Sequence, residues 1–314
     1  KDTWAISVME SFNAIPIFVA VAETGGFSAA ARELGLSKSA VSKRITQLED
    51  QLGARLIHRT TRKLSLTEAG ERFYEYAVTA VRAAQNAEDA VSELQGEPRG
   101  LLKIVVPMTF GLLHIAPLIP EFLKRYPHTR IELVMDDKPV NLVEQGFDLA
   151  IRAGDLPDSN LIARKLAPVH SVVCASEEYL ANSSVFTPEA LSQANCILYS
   201  YSPNADIWEF AKTQSSDVIR VKVSGNYRVN SSEALKEALL KGLGIGRLPS
   251  FVAGEYIRQG ALIQLFNEYR MPSKNIYALY PERNYMPAKV RAFLDFAIEH
   301  LGKDSPYWDE GLFD

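Results

Sequence analysis

The stretch SAAARELGLSKSAVSKRITQLEDQLG, residues 28–53, decides the reading of this chain. Ser28 is placed to cap a helix that runs to Leu34, Gly35 to end it, and Ser37 to cap a second helix. In that second helix Val41, Ile45, Leu48 and Leu52 recur at spacings of 4, 3 and 4, which makes one apolar stripe. The opposite face, at about 100° per residue, shows Ser39, Ser42, Lys43, Thr46 and Gln47. A helix that enters the major groove of duplex DNA needs this division, an apolar back and a slim polar front.

The flanks extend the pattern. Alanines at 29–31 let the first helix approach the second closely. Upstream, AIPIFVAVAE (14–23) predicts a third helix, with Asn13 as its cap and Pro16 in its first turn, where a missing N–H matters least. Downstream, RLIHRTTRKLSLT (55–67) alternates and is basic, like a β-wing that brings Arg59, Arg62 and Lys63 near the DNA backbone. With Ser28, Ser37 and Lys38 at the helix starts, these side chains form the candidate DNA-binding set. Charge supports the grouping. The chain of 314 residues carries a net −4, yet residues 28–72 carry +4 and the remainder −8. One module is suited to phosphate and the body is not. Helix–glycine–helix taken alone is equally compatible with a small bundle that has a solvated polar face.

From 67 to 95 a single helix is predicted, capped by Thr67, with Glu68 and Glu71 at its positive end. Phe73, Ala77, Ala80, Ala84, Ala87, Val91 and Leu94 recur at 4,3,4,3,4,3, a heptad stripe suited to pairing two chains or to packing within one. Twenty-eight residues of helix would span about 40 Å. Gly96, Pro98 and Gly100 then break the helix and predict a hinge over 96–100.

After Leu101 short apolar strands alternate with helices, the pattern of an α/β body with parallel pairing. LLKIVVP, RIELVM, DLAIRAG, SVVCAS and GIGRLP read as strands, and HIAPLIPEFLKRYP, SSEALKEALLKG and KVRAFLDFAIEHL as helices. Two loops suit a small anion. PMTFG (107–111) follows a strand and offers Met108, Thr109 and Phe110, with the Thr109 hydroxyl and backbone amides. RVNSSEA (228–234) opens a helix with Asn230, Ser231 and Ser232. Ordinary helix capping explains either loop as well. The tail GKDSPYWDEGLFD reads as a surface strap or a disordered end.

Other chemistries find little support. The glycine string GLGIG (242–246) follows a helix and precedes a strand, the reverse of a dinucleotide fingerprint, so helix capping accounts for it. His58, His114, His128, His170 and His300 show no metal-ligand spacing, and no nucleophile motif occurs, so neither a metal, a cofactor nor catalysis is expected. No run of 18 apolar residues predicts a membrane span. Residues 1–8, ahead of Met9, lack a signal-peptide pattern. The two cysteines, Cys174 and Cys196, sit in apolar runs, which fits buried thiols in a reducing cytoplasm, with a redox pair as the lesser alternative.

Residues 18–70 resemble the winged helix-turn-helix of LysR-type transcriptional regulators almost without a gap, and the resemblance continues through the rest of the chain. Two departures stand out: Gly26 where the family usually has Ser, and Ile57 where Phe is common. The resemblance implies a multidomain fold. Residues 9–66 would form an all-α winged helix-turn-helix DNA-binding domain, 67–95 a long linker helix for dimerisation, and 101–303 an α/β effector-binding domain before a tail at 304–314. That domain would be periplasmic-binding-protein-like, with subdomain I over about 101–169 and 276–303 and subdomain II over about 170–275. The resemblance also favours a ligand cleft between the subdomains and adds Asp136 and residues 199–202, Tyr201 among them, to its candidates. The implied function is a cytoplasmic regulator that binds promoter DNA as a homo-oligomer and answers to a small, anionic effector. The rival reading is a solute receptor or enzyme on the two-subdomain body, with the helical domain as a protein-interaction module.

Overall fold

The computed structural model describes residues 3–59, 64–95, 97–138, 140–154, 160–183, 185–202, 204–212, 218–282 and 286–313. The chain splits into two compact units, Lys1–Gly96 with Val143–Gly146, and Glu97–Leu142 with Phe147–Asp314. Gly96 of the expected hinge and Arg62 and Lys63 of the expected wing lie outside the described residues.

The first unit holds helices α1 (Thr3–Thr24), α2 (Phe27–Leu34) and α3 (Lys38–Leu52), the antiparallel hairpin β1 (Ile57–Arg59) and β2 (Leu64–Leu66), and the long helix α4 (Glu68–Gln95). Its core joins Phe18 and Val21 of α1, Ala30 of α2, and Val41, Ile45 and Leu48 of α3, all fully buried. Each large aliphatic side chain so buried contributes about 1.5–3 kcal/mol.

Four local expectations are corrected. Asn13 does not cap α1, which runs from Thr3 with Pro16 inside it. No breaker precedes Asn13, so the helix forms on both sides of the proline. Ser28 does not cap α2: Gly26 occupies the cap position in extended conformation, and Ser28 is exposed in the first turn. Leu52 leaves the buried stripe and is 43% exposed, while Glu49 is buried in its place. Finally, α4 does not carry a uniformly exposed stripe. Phe73 meets Phe18 edge-on at 5.3 Å and Ala77 is 2% exposed, so the start of the stripe packs into its own chain. Ala80 is half-buried and Ala84 and Ala87 are exposed, whereas the side chains of Val91 and Leu94 lie outside the described part.

Gly35 ends α2 in the left-handed conformation (φ 65°), as the sequence predicts. Gly70 on α4 has a stricter role. A Cβ there would sit 2.0 Å from the Leu56 carbonyl oxygen, so only glycine lets α4 cross the start of the wing.

The second unit contains two five-stranded sheets. The first comprises β3 (Gly100–Val106), β4 (Thr129–Met135), β5 (Leu149–Ala153), β6 (Leu161–Val169) and β15 (Lys274–Pro281), in the order β4-β3-β5-β15-β6. Strand β3 runs parallel to β4 and β5, and β15 antiparallel to β5 and β6. The second comprises β7 (Ser171–Ala175), β8 (Cys196–Tyr199), β11 (Arg228–Val229), β12 (Ile245–Pro249) and β13 (Ile263–Leu265), in the order β11-β8-β12-β7-β13. A smaller antiparallel sheet of β9 (Ile207–Lys212), β10 (Val218–Lys222) and β14 (Tyr269–Arg270) covers it with Trp208 and Phe210. Its helices among the described residues are α5 (Met108–Phe110), α6 (Ile119–Arg125), α8 (Glu177–Leu180), α9 (Ser232–Leu240), α10 (Ser250–Arg258) and α11 (Ala288–Leu301), while α7 (Leu142–Gln145) groups mostly with the first unit. The predicted helix from His114 is broken: a wide π-type turn over Gly111–Ile115 and a tight turn over Ala116–Leu118 precede α6. At the glycine string Leu243 N–H donates to the Ala238 carbonyl at 3.1 Å, which caps α9.

Of the two readings of the tail the structure shows the strap, anchored by buried side chains. Trp308 is 2% exposed and packs on Phe110, Phe251 and the His114 ring. Arg258 of α10 donates to the carbonyls of Trp308 and Glu310 at 3.2 and 3.0 Å, and His170, between β6 and β7, pairs with Asp309 at 2.8 Å. Residues 307–313 therefore strap the first sheet's loops to the second sheet's helix.

Candidate DNA-binding surface and ligand cleft

Helix α3 is set by its ends. The Ser37 hydroxyl accepts from Ala40 N–H at 3.1 Å and lies 3.0 Å from the Ser39 hydroxyl. With Val41, Ile45 and Leu48 turned inward, Lys38, Ser39, Lys43 and Gln47 are exposed and Ser42 and Thr46 half-buried. Thr46 donates to the Ser42 carbonyl at 3.0 Å, so its hydroxyl is partly engaged by its own helix. The hairpin pairs Ile57 with Leu66, His58 with Ser65, and Arg59 with Leu64. The Arg59 side chain, like Arg62 and Lys63, lies outside the described part.

Glu49 is the residue that sequence reasoning missed. One carboxylate oxygen accepts from Leu56 N–H at 2.9 Å and Ile57 N–H at 3.2 Å, and the other accepts from Arg55 at 2.8 Å. The hydrogen bond and charge of Glu49 raise Arg55 above its usual value. This buried carboxylate ties the end of α3 to the start of the wing. Its signal was present: Glu49 follows Ile45 by four residues and falls on the apolar stripe.

In the second unit the ends of β3 and β4 carry one group of candidates. Thr109 is 8% exposed and Met108 48% exposed, but Phe110 is 1% exposed. Phe110 is therefore corrected from lining to core, because its ring packs edge-on against Phe251 and Trp308. The Met108 amide is not open to an anion either, since Asp137 accepts from it at 2.9 Å. Asp136 turns to the amide of Lys138 at 2.9 Å. Arg152 braces this acidic turn through the carbonyls of Asp136 and Lys138, at 2.8 and 2.9 Å. Burial lowers the Arg152 guanidinium from its usual value, and Asp136 and Asp137 oppose that.

The second group lies at the ends of β8, β11 and β12. Ser231 caps α9 by accepting from Ala234 N–H at 3.3 Å, and Ser232 is the first helical residue. Asn230 donates to the Tyr201 hydroxyl at 3.2 Å, and Tyr199 meets Tyr201 edge-on. Arg247, absent from the sequence candidates, donates to the Ser202 hydroxyl at 2.8 Å. The two groups act on each other electrostatically: burial pushes the Tyr199 hydroxyl up to about 12, and the charge of Asp137 adds to it.

Both cysteines are buried and free, and burial pushes each thiol up to about 12, which leaves them poor nucleophiles. No group of three or more metal-ligating side chains occurs among the described residues, and no helix among them is long and apolar enough to cross a membrane.

Two family models match. Residues 12–71 match the bacterial regulatory helix-turn-helix protein of the lysR family, and residues 95–302 the LysR substrate binding domain. The chain is 37% identical to the transcriptional regulator PtxR of Pseudomonas aeruginosa, over 94% of each chain. Its structure resembles that of CrgA, a LysR-type transcriptional regulator from Neisseria meningitidis, at 34% identity and a TM-score of 0.60, covering 92% of this chain and 98% of CrgA. It also resembles the Vibrio cholerae virulence activator AphB at 29% identity and a TM-score of 0.59, covering 91% of this chain and 98% of AphB. The relatives are regulators rather than enzymes, and this chain belongs to the LysR family of transcriptional regulators.

Proposed function

We propose that this regulator binds promoter DNA sequence-specifically as a homo-oligomer in the cytoplasm and is switched by a small anionic effector held in the second unit. Helix α3 reads base edges in the major groove, and the wing contacts phosphate through Arg59, Arg62 and Lys63. The exposed part of the α4 stripe, around Ala84 and Ala87, pairs two chains. Thr109, Tyr201 and the start of α9 contact the effector, and the residues near 96–100 carry its influence to the DNA-binding unit.

One observation carries the reading. The exposed face of α3 is slim and polar, with Ser39, Lys43 and Gln47, while its back is buried on Val41, Ile45 and Leu48. The test is duplex binding to the promoter region beside its gene and to random DNA, across a range of salt. Ser42→Ala and Lys43→Ala should weaken specific binding more than random binding. Arg62→Ala should weaken both and reduce the salt slope by about one. Equal loss on both duplexes for all three variants would refute this division of labour.

A further inference from the structure

Arg247 is the unexplained cation among the described residues of the second unit. It lies on β12 between Gly246 and Leu248. A Cβ at Gly246 would meet Leu235 and Leu239 of α9, so the Arg247 side chain leaves the opposite face of the sheet. β12 runs parallel to β8, and the Ser202 hydroxyl that accepts from Arg247 belongs to the turn beyond the end of β8. Three residues on, Ser250 N–H donates to the carbonyl of His170, where the chain crosses from the first sheet to the second. Arg247 thus stands at the strand ends that face the other half.

The other buried or half-buried cations among the described residues of this unit have evident partners. Lys289 donates to the Leu101 carbonyl and lies near Asp148, Lys236 is held by Glu233, and Arg152 is held by two carbonyls beside Asp136 and Asp137. Arg247 has one neutral hydroxyl and no carboxylate partner among the described residues. Burial lowers its guanidinium from the usual value, and no acidic neighbour among the described residues offsets that. A guanidinium presents five donors in a planar fork suited to a carboxylate, and a desolvated cation without an acid is a liability that an anion relieves. The facing wall does not compete for that anion, because the Met108 amide is already taken by Asp137.

Resting on the reading of this unit as the effector domain, we propose that Arg247, with Ser202 beside it, is the anion anchor of the effector site and selects a singly charged carboxylate. The acidic turn at Asp136 and Asp137, whose Asp137 charge reaches Tyr199, disfavours a second negative charge, so phosphates and dicarboxylates are selected against.

The test uses the full-length protein at constant ionic strength. Acetate, lactate, benzoate and inorganic phosphate are titrated beside acetamide, lactamide and benzamide, with calorimetry and thermal melting as readouts. At least one carboxylate should bind saturably, and its amide at least tenfold more weakly. Arg247→Gln should weaken that carboxylate at least tenfold, with Arg247→Lys between the two. The ligand-free Arg247→Gln protein should melt no lower than the parent, whereas a purely structural arginine would lower the melting temperature. Saturable binding by none of the carboxylates, equal binding of the amide, preference for phosphate, or an unaffected Arg247→Gln protein each overturns the assignment. Duplex-DNA binding by the unaltered protein is scored separately, so failure of the regulator reading and failure of the anion anchor are distinct results.

Discussion

His114 makes a pH dependence that can be worked through. Its ring is 6% exposed, enclosed by Phe110, Phe251, Tyr307 and Trp308. Nε2 lies 3.0 Å from the Phe251 carbonyl, which can only accept, so Nε2 carries the proton; Nδ1 then accepts from the Tyr307 hydroxyl. Burial lowers its pKa to about 4, with the Phe251 carbonyl opposing. An unfolded histidine titrates near 6.5, so the unfolded chain binds more protons as pH falls below that value. The stability is present above about pH 6.5 and is lost as pH falls toward 4. Between pH 7 and pH 5 the loss is about 2 kcal/mol. For a unit of this size that is roughly 4–8 °C in melting temperature. The perturbation is His114→Gln, which keeps a similar volume and removes the titration. Urea unfolding of both proteins, followed by tryptophan emission from pH 7 to 5, checks it. The variant starts less stable, but the parent should lose about 2 kcal/mol more than the variant over this range. Parallel losses would refute the assignment of the pH dependence to this ring.

Two further outcomes are expected. Glu49→Ala leaves the Leu56 and Ile57 amides without their acceptor, at about 1–3 kcal/mol each, and should lower the melting temperature of the first unit and loosen the wing; Glu49→Gln should retain most of the stability, as thermal unfolding would show. Ala84→Glu places a carboxylate on the exposed part of α4, and sedimentation should show a smaller assembly if that part pairs two chains; an unchanged assembly would restrict the stripe to the packing of Phe73 and Ala77 within one chain.

The DNA-binding unit was legible where its determinants are local. Val41, Ile45 and Leu48 follow helical spacing, Ser37 is a cap by its chemistry, and Gly35 ends a helix by its left-handed φ. Legibility failed where a long-range partner decides. Ser28 is a good cap residue, but the chain already turns at Gly26, and Leu52 yields the stripe to Glu49 because the wing's amides need an acceptor. In the second unit β3, β4, β5, β7, β8 and β12 read as short apolar runs. Strand β6 was not foreseen: its sequence LIARKLAPV is interrupted by charge, and its partner β15 lies more than a hundred residues away. The β9–β10 hairpin was missed for a similar reason, since WEFAK and VIRVK alternate too weakly to stand out. Arg247 has no local signature at all; what marks it is the lack of an acid among neighbours that only the fold brings together.

The strap bears on how a ligand could act. The halves of the second unit are joined by the chain at His170 and again between β14 and β15, and the tail adds a third connection that uses side chains from both. His114 comes from the loops of the first sheet, Phe251 and Arg258 from α10 beside the second, and Tyr307 and Trp308 from the strap between them. A ligand that prefers one setting of the halves works against these contacts, so its effect is limited to the difference in contact energy between two settings. Coupling of about 1–3 kcal/mol is the usual range for such a shift. The acid-induced loss traced to His114 is of the same size and arises in the same connection. Acidification toward pH 5 should therefore weaken the constraint between the halves as well as the fold.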